Sequence, residues 1–284
     1  MSDNSLRLIM TIRDDSPRVA QICSDLSDFL SHQPGVKLTV VGTPDKLKLG
    51  RRQIDLVLVL GGDGTMLRTC RQLGAKQLPI MGVNLGRLGF LADLSPDEFQ
   101  NCFGEILAGR FSITRHLMFS CRLTHGDGSH ETHLGLNEVM IHSGAALRML
   151  RIDLTINGEV VTTYGCDGLI LSTPVGSTAH SLAAGGPLLR QDLQAFVITP
   201  ISPHTLTNRP LVDRADSVYS MTVPDCPEGA MLVIDGQIKR PLCAGDRIEV
   251  KQAPVSFQLA RLSDHSYYGT LHRKLGWGGL PNGM

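Results

Sequence analysis

The residues best suited to chemistry lie in the short segment Gly61-Gly62-Asp63-Gly64-Thr65. Three closely spaced glycines permit positive φ angles and let a charged ligand approach bare backbone N–H groups. A helix beginning just after them would add the positive end of its dipole, a combination typical of phosphate sites. The segment matches neither G-x-x-x-x-G-K-[ST] nor G-x-G-x-x-G, so it is neither a Walker loop nor the dinucleotide fingerprint.

Asp63 is the exception in this turn, because a carboxylate there would repel phosphate. Two interpretations stay open on the residue alone. In the first, Asp63 serves only the geometry of the turn, since Asp-Gly pairs are common between elements. In the second, it accepts a proton from a substrate hydroxyl, or holds a magnesium ion, beside phosphates that the backbone binds.

Two further stretches carry chemistry. Asn137-Glu138 interrupts an apolar, strand-like segment; one of the pair could simply face water, yet an amide donor beside a carboxylate acceptor also suits ribose hydroxyls. Residues 164–187 are rich in Gly, Ser, Thr and Ala and include His180. Linkers have a similar composition but seldom lie between two apolar core segments, so we predict that this run binds a ligand.

The elements that position these residues follow from the apolar pattern. In the first part of the chain strands alternate with helices, which predicts a parallel, doubly wound, Rossmann-like sheet. The predicted strands are residues 6–12, 36–41, 56–60 and 78–84, and the predicted helices are residues 17–30, 66–73 and 96–108.

A mostly β second domain is predicted to start near residue 112, where the segments become short and rich in β-branched residues. Asn157-Gly158 is a strong hairpin signal within it. The segment 267–277 has helical spacing, and we expect it to form a short closing helix. The predicted core strands of the second domain are residues 169–172, 196–199, 231–234 and 247–250.

Composition narrows the function. The 284 residues suggest about two domains. The 27 basic and 27 acidic residues balance, with no basic run, which argues against nucleic-acid or membrane partners and favours a small ligand.

Seven scattered cysteines, never in C-x-x-C spacing, are predicted to be reduced thiols. The segment His130-Glu131-Thr132-His133 lacks H-E-x-x-H spacing, so no dedicated metal site is predicted. Without a targeting signal, the chain is expected to be cytoplasmic.

The motifs together resemble the NAD kinase family. They are Gly61–Thr65, Asn137-Glu138, Asp167-Gly168 leading to Ser172–Ser181, and Asp235-Gly236-Gln237. G-G-D-G-T by itself also occurs in diacylglycerol and sphingosine kinases, with a relative in phosphofructokinases. The N-E pair followed by S-T-P-x-G-S-T-A is specific to the NAD kinases, and the resemblance spans about residues 5–277.

The resemblance implies an α/β amino-terminal domain with a parallel sheet, a β-sandwich-like second domain and a C-terminal tail that returns to the first domain. The implied boundaries are residues 1–111, 112–256 and 257–284. The implied activity is transfer of the γ-phosphate of ATP to the 2′-hydroxyl of the adenosine ribose of NAD, with a divalent metal such as Mg²⁺, giving NADP. The implied assembly is a homodimer or homotetramer.

The resemblance also assigns roles to residues. Asp63 would be the catalytic base, Gly64 a backbone contact to substrate, and Arg68 a residue facing the phosphates. The residues implied to contact the dinucleotide are Asn137, Glu138, Arg148, Gly165, Asp167, Thr178, Ala179, His180, Ser181, Leu182, Ala183 and Gln237. His180 replaces the family's tyrosine and Ala183 its last serine, so base stacking at residue 180 would be weaker and its charge pH-dependent.

Because phosphoryl transfer passes through a loose transition state, an aspartate here is expected to act late and also to orient the hydroxyl. Two competing functions stay open. A lipid kinase sharing the glycine turn would phosphorylate diacylglycerol or a sphingoid base. A nucleotide-sensing module would bind NAD or NADP without making NADP.

Overall fold

The elements below come from a computed structural model that describes residues 5–50, 52–86, 89–144, 148–205, 207–262 and 267–276. The helices are α1 (Pro17–Ser31), α2 (Asp63–Leu73), α3 (Pro96–Asn101), α4 (Phe103–Leu107), α5 (His180–Ala183) and α6 (Tyr267–Leu275). The strands are β1 (Leu6–Ile12), β2 (Val36–Gly42), β3 (Leu56–Leu60), β4 (Pro79–Val83), β5 (Ser112–Thr124), β6 (His130–Gly135), β7 (Glu138–His142), β8 (Leu150–Ile156), β9 (Glu159–Cys166), β10 (Gly168–Ser172), β11 (Ala195–Ile201), β12 (Leu211–Arg214), β13 (Tyr219–Thr222), β14 (Met231–Ile234), β15 (Ile238–Pro241) and β16 (Arg247–Arg261).

The chain divides into one unit made of residues 1–115 and 257–284 and a second made of residues 116–256. In the first unit the strands follow the order β2, β1, β3, β4 and the end of β16, and every pair is parallel. All five residues of β3 are buried, as expected for a strand covered on both faces. The predicted parallel α/β sheet is therefore confirmed.

Two helix boundaries differ from the prediction. Helix α2 begins at Asp63 rather than Met66, because Gly62 is extended (φ −94°, ψ −170°) and is its N-cap. The single helix predicted over residues 96–108 is two short helices, α3 and α4, separated at Cys102. Ser95 and Glu98 form the capping box that begins α3.

The second unit contains a sheet of antiparallel strands in the order β12, β11, β10, β7, β14 and β15. A second antiparallel set, β13, β8 and β9 with the start of β16, packs against it through a common core that includes Phe196, Tyr219 and Leu232. Asn157 (φ 52°) and Gly158 (φ 85°) form the predicted hairpin turn between β8 and β9. The sandwich-like prediction is confirmed.

Strand β16 has fifteen residues instead of the four predicted at 247–250. Its start pairs with β13 in the second unit, and Gln258 and Leu259 pair with β4 in the first. The predicted return of the chain to its first domain is thus made by this long strand. Helix α6 covers most of the predicted closing helix; Trp277 lies outside the described residues. Among the described helices, none is both long and apolar enough to cross a membrane.

Candidate active site

The carboxylate of Asp63 is held by a neighbouring loop rather than by its own helix. Its Oδ2 accepts the backbone N–H of Phe90 at 2.8 Å. Its Oδ1 accepts the N–H groups of Leu91 and Ala92 at 3.0 and 3.1 Å. Since β3 and β4 are adjacent parallel strands, the turns that follow them meet at one edge of the sheet. This topology brings residues 27 to 29 positions apart into contact.

The three backbone donors leave Asp63 one acceptor position. A carboxylate has about four lone-pair directions, two on each oxygen. Oδ1 uses both, and Oδ2 uses one on Phe90. Among the described residues nothing donates to the remaining direction on Oδ2, which is left for a hydroxyl hydrogen, and the side chain is only partly buried. The carboxylate is oriented before any substrate arrives, which favours alignment of a reacting hydroxyl.

Sequence reasoning missed the loop that holds Asp63. A Cβ on Gly89 would overlap Oδ1 of Asp63 and lie 2.8 Å from its Cγ, so the close approach requires glycine. The loop is closed by the N–H of Gly89 and by Nδ2 of Asn84, which donate to the carbonyl of Ala92 at 3.0 and 3.1 Å. The sequence feature that could have revealed this loop is an asparagine and two glycines directly after an apolar strand.

The glycines of the turn do not adopt the positive φ angles that the sequence suggested. Gly61, Gly62 and Gly64 are all described, and none of them has positive φ. Gly61 instead makes room for helix α2, because a Cβ there would overlap Oγ1 of Thr65 and lie 2.8 Å from its Cβ. Gly62 faces open space and Gly64 is exposed. The turn is accessible, but through the lack of side chains rather than through left-handed backbone.

Arg68, which the resemblance placed facing the phosphates, lies one turn into α2. Its Nη2 is 2.6 Å from Oδ2 of Asp45, a residue of the short 3-10 turn Pro44–Lys46. About a third of the Arg68 side chain is exposed. Its role toward phosphate stays a prediction, and a phosphate there would compete with Asp45 for the guanidinium.

In the second unit, Asp235 organises the Asn137-Glu138 turn. Its Oδ1 accepts the N–H groups of Leu136, Asn137 and Glu138 at 3.1, 2.8 and 3.3 Å. The residue is buried and has a positive φ of 50°, which aspartate tolerates better than most side chains. The sequence showed Asp235 as part of a motif but not as the residue that holds this turn.

Glu138 faces inward and pairs with His180. Its Oε1 accepts a hydrogen bond of 2.8 Å from Nδ1 of His180, while Oε2 is buried without a hydrogen-bond partner among the described residues. Burial raises the pKa of Glu138, although the bond from His180 opposes this shift. The same bond raises the pKa of His180 above its ordinary 6.5. The pair therefore favours an imidazolium at residue 180.

We expect this bond to make stability pH-dependent. Because the pKa of His180 is raised, its contribution is full below about pH 6.5 and is lost as the pH rises through the folded-state value. The ring is 55% exposed, so the contribution should be under about 1 kcal/mol. NMR titration of the imidazole should show its pKa falling in Glu138→Gln, with His180→Gln identifying the signal. An unchanged titration would contradict the pairing.

The run of small residues forms a framework around this turn. Oγ1 of Thr173 donates to the carbonyl of Leu136, and a Cβ on Gly176 would overlap the carbonyl oxygen of Asn137. Oγ of Ser181 is fully buried and lies 3.0 Å from Oγ1 of Thr199. These small side chains let the run pack directly on the Asn137-Glu138 backbone. Several of its hydroxyl groups are therefore occupied by hydrogen bonds within the protein.

A cavity of about 340 Å³ opens beside His180. It is lined by Met140, His142, His180, Met231, Val233, Gly236 and Lys239. Nδ1 of His142 accepts the N–H of Gly144 at 2.9 Å, so the hydrogen of its neutral ring lies on Nε2. The cavity thus combines an apolar floor with nitrogen donors, the mixture expected of a small-molecule site.

The other predicted contact residues lie at different places in the second unit. Thr178, Ala179 and Leu182 are half-buried near His180, while Ala183 and Gln237 are exposed. Gly165 in β9 and Asp167 lie near Gly168, where β10 begins. Glu138 pairs with Ser172, where β10 ends, so this unit does not bring Gly165 and Asp167 to Glu138. Oδ1 of Asp167 is 3.4 Å from Nε2 of His204. Arg148 is exposed. The roles of these residues stay predictions.

Among the described residues, no cluster of three or more His, Cys, Asp or Glu side chains is arranged to hold a metal ion. His133 pairs instead with Glu131, whose Oε2 is 2.8 Å from its Nε2.

Known proteins match both parts of this chain. Residues 23–111 match the family described as the ATP-NAD kinase N-terminal domain, and residues 136–262 match the ATP-NAD kinase C-terminal domain. A protein named NAD kinase from Rhodopirellula baltica is 50% identical over 228 residues, which cover 80% of this chain and 73% of that protein. A protein named NAD kinase from Heliobacterium modesticaldum is 38% identical over 274 residues, covering 94% and 97%.

Two solved structures are similar. Yeast NADH kinase complexed with NADH superimposes with a TM-score of 0.84 at 25% identity, covering 97% of this chain and 89% of that one. An NAD kinase from Archaeoglobus fulgidus in complex with ATP has a TM-score of 0.70 at 23% identity, covering 95% and 98%, and shows the shared fold. With both domain families matched and relatives this similar over most of their length, the chain belongs to the ATP-NAD kinase family, the enzymes that phosphorylate NAD with ATP.

Proposed function

We propose that the chain transfers the γ-phosphoryl group of ATP to the 2′-hydroxyl of the adenosine ribose of NAD, giving NADP, with Asp63 as the general base. The observation that carries this role is that the described residues fill three of the four acceptor directions of the Asp63 carboxylate and leave one on Oδ2. That direction can take the hydrogen of the attacking hydroxyl. Asp63 then orients the oxygen and receives its proton as the bond to the γ-phosphorus forms and the bond from that phosphorus to the departing ADP breaks.

The remaining groups supply binding. The positive end of the α2 dipole and the small, accessible Gly62 and Gly64 suit phosphate oxygens, as proposed for Gly64. Glu138 has one buried oxygen without a hydrogen-bond partner among the described residues, and the ring of its partner His180 lines the cavity, so we assign this pair to the ribose. A divalent metal, Mg²⁺ by preference, belongs to this proposal as the partner of the ATP phosphates, where it would neutralise charge. No residue of this chain is assigned as its ligand.

The test measures NADP formation by purified protein from NAD, ATP and magnesium, read with an NADP-specific dehydrogenase. Polyphosphate replaces ATP in a parallel reaction, and NADH replaces NAD because one similar structure is a yeast NADH kinase. NADP made with ATP supports the proposal. NAD binding with no product from either donor would instead indicate a sensor, and phosphorylation of diacylglycerol in vesicles would indicate a lipid kinase.

Assembly and location are part of the same proposal. We expect a homodimer or homotetramer in the cytoplasm, with NAD and ATP as its small-molecule partners. Sedimentation equilibrium of the full chain measures the number of subunits directly.

A further inference from the structure

A buried arginine at the end of β16 contacts the loop that holds Asp63. The side chain of Arg261 is only 10% exposed. Its Nη2 donates a hydrogen bond to the carbonyl oxygen of Phe90, and its Nε lies 3.4 Å from Oδ2 of the buried Asp93. Neither the glycine turn nor any other sequence motif pointed to this residue.

The carbonyl of Phe90 and the N–H of Leu91 belong to one peptide plane. In a trans peptide these two groups point in opposite directions. Arg261 binds the carbonyl on one side, and Oδ1 of Asp63 accepts the N–H on the other at 3.0 Å. Any rotation of this plane would break both bonds together, so the guanidinium and the carboxylate are coupled through one rigid group.

We propose that Arg261 is a positioning residue for phosphoryl transfer, which fixes the Phe90–Leu91 peptide plane and thereby aims Leu91 N–H at Asp63. This inference rests on the proposed role of Asp63 and deepens it. Arg261 touches no reacting atom; it acts by holding the loop whose N–H groups hold the carboxylate. A base placed even slightly wrongly loses much of its effect on a reaction that depends on alignment.

The electrostatics agree with this geometry. Burial lowers the pKa of Arg261, while the nearby carboxylates of Asp93 and Asp63 act in the opposite direction. An arginine nevertheless stays charged at neutral pH. Burying such a charge is costly, and apolar residues of similar volume often replace buried ion pairs without loss of stability. A positioning role gives a reason for arginine at this place.

The experiment compares kcat and KM in Arg261→Met, which keeps much of the volume but removes every donor. We expect kcat to fall on the order of 10–100-fold, with KM for NAD and ATP close to their original values. Hydrogen exchange should also become faster at the amides of Phe90, Leu91 and Ala92. The matched control is Arg7→Gln, which breaks another Arg–Asp pair of the same unit, with Asp55 at 2.7 Å, and should leave kcat unchanged.

A second variant tests whether the loss of kcat comes from misfolding. Arg261→Met removes the cation 3.4 Å from the buried Asp93, so the combined change Arg261→Met with Asp93→Asn removes both buried charges of this pair. The combined variant should show the same loss of kcat and the same faster exchange at residues 90–92. Full kcat in either folded variant would overturn the inference.

A double-mutant cycle separates this inference from the proposed function. If Arg261 acts through Asp63, then Arg261→Met should change kcat by less than about twofold in an Asp63→Asn background. An equal loss in both backgrounds would overturn the inference while leaving Asp63 as the base. A normal kcat in Asp63→Asn alone would instead overturn the proposed function.

Discussion

Asp63→Asn should lower kcat by about 10²–10⁴-fold and leave the KM for NAD close to its original value. The amide cannot take the proton of the ribose hydroxyl. If its oxygen keeps the bonds from Leu91 and Ala92, its NH₂ group points at the N–H of Phe90, where two donors meet. Steady-state kinetics of NADP formation measure the loss directly.

The control for this variant is its stability. One lost hydrogen bond and two partly buried donors facing each other should reduce the free energy of unfolding by about 1–3 kcal/mol. Urea titration then shows whether the protein is folded under assay conditions, and calorimetry shows whether NAD still binds. Near-normal turnover by a folded variant that binds NAD normally would rule out Asp63 as the base.

Gly89→Ala should lower kcat by about 10²-fold without changing any group that contacts substrate. The new Cβ would overlap Oδ1 of Asp63 and lie 3.0 Å from the carbonyl oxygen of Ala92, so either the loop or the carboxylate must move. Both movements break the bonds that Leu91 and Ala92 make to Asp63. Turnover measured at saturating NAD and ATP tests this prediction.

Gly104→Ala is the matched control for that change. Gly104 lies in α4 of the same unit, and a Cβ there would meet nothing within 4 Å. Alanine favours a helix over glycine by about 0.5–1 kcal/mol, so this variant should be slightly more stable with unchanged kcat. Equal activity of the two alanine variants would show that the approach of Gly89 to Asp63 does not matter for the reaction.

Local pattern predicted most of the elements around the site. Five buried apolar residues before a glycine turn indicate β3, and the strand and the helix that follows it place Asp63 at an edge of a parallel sheet. Asn157-Gly158 predicted its hairpin, since both residues accept positive φ. The two helix boundaries that failed lie where a single residue decides: Gly62 begins α2 early, and Cys102, which is neither glycine nor proline, separates α3 from α4.

The sequence by itself determined which residue types stand in the turn, the Asn137-Glu138 pair and the small-residue run, because motifs are local. Only the tertiary structure decided their partners. The loop that holds Asp63 follows a different strand, Arg261 lies 198 positions from Asp63, and Asp235 bonds a turn 97 to 99 positions away. Such contacts depend on which strands are neighbours and on the direction of each peptide plane. The spacing of residues along one segment determines neither of these.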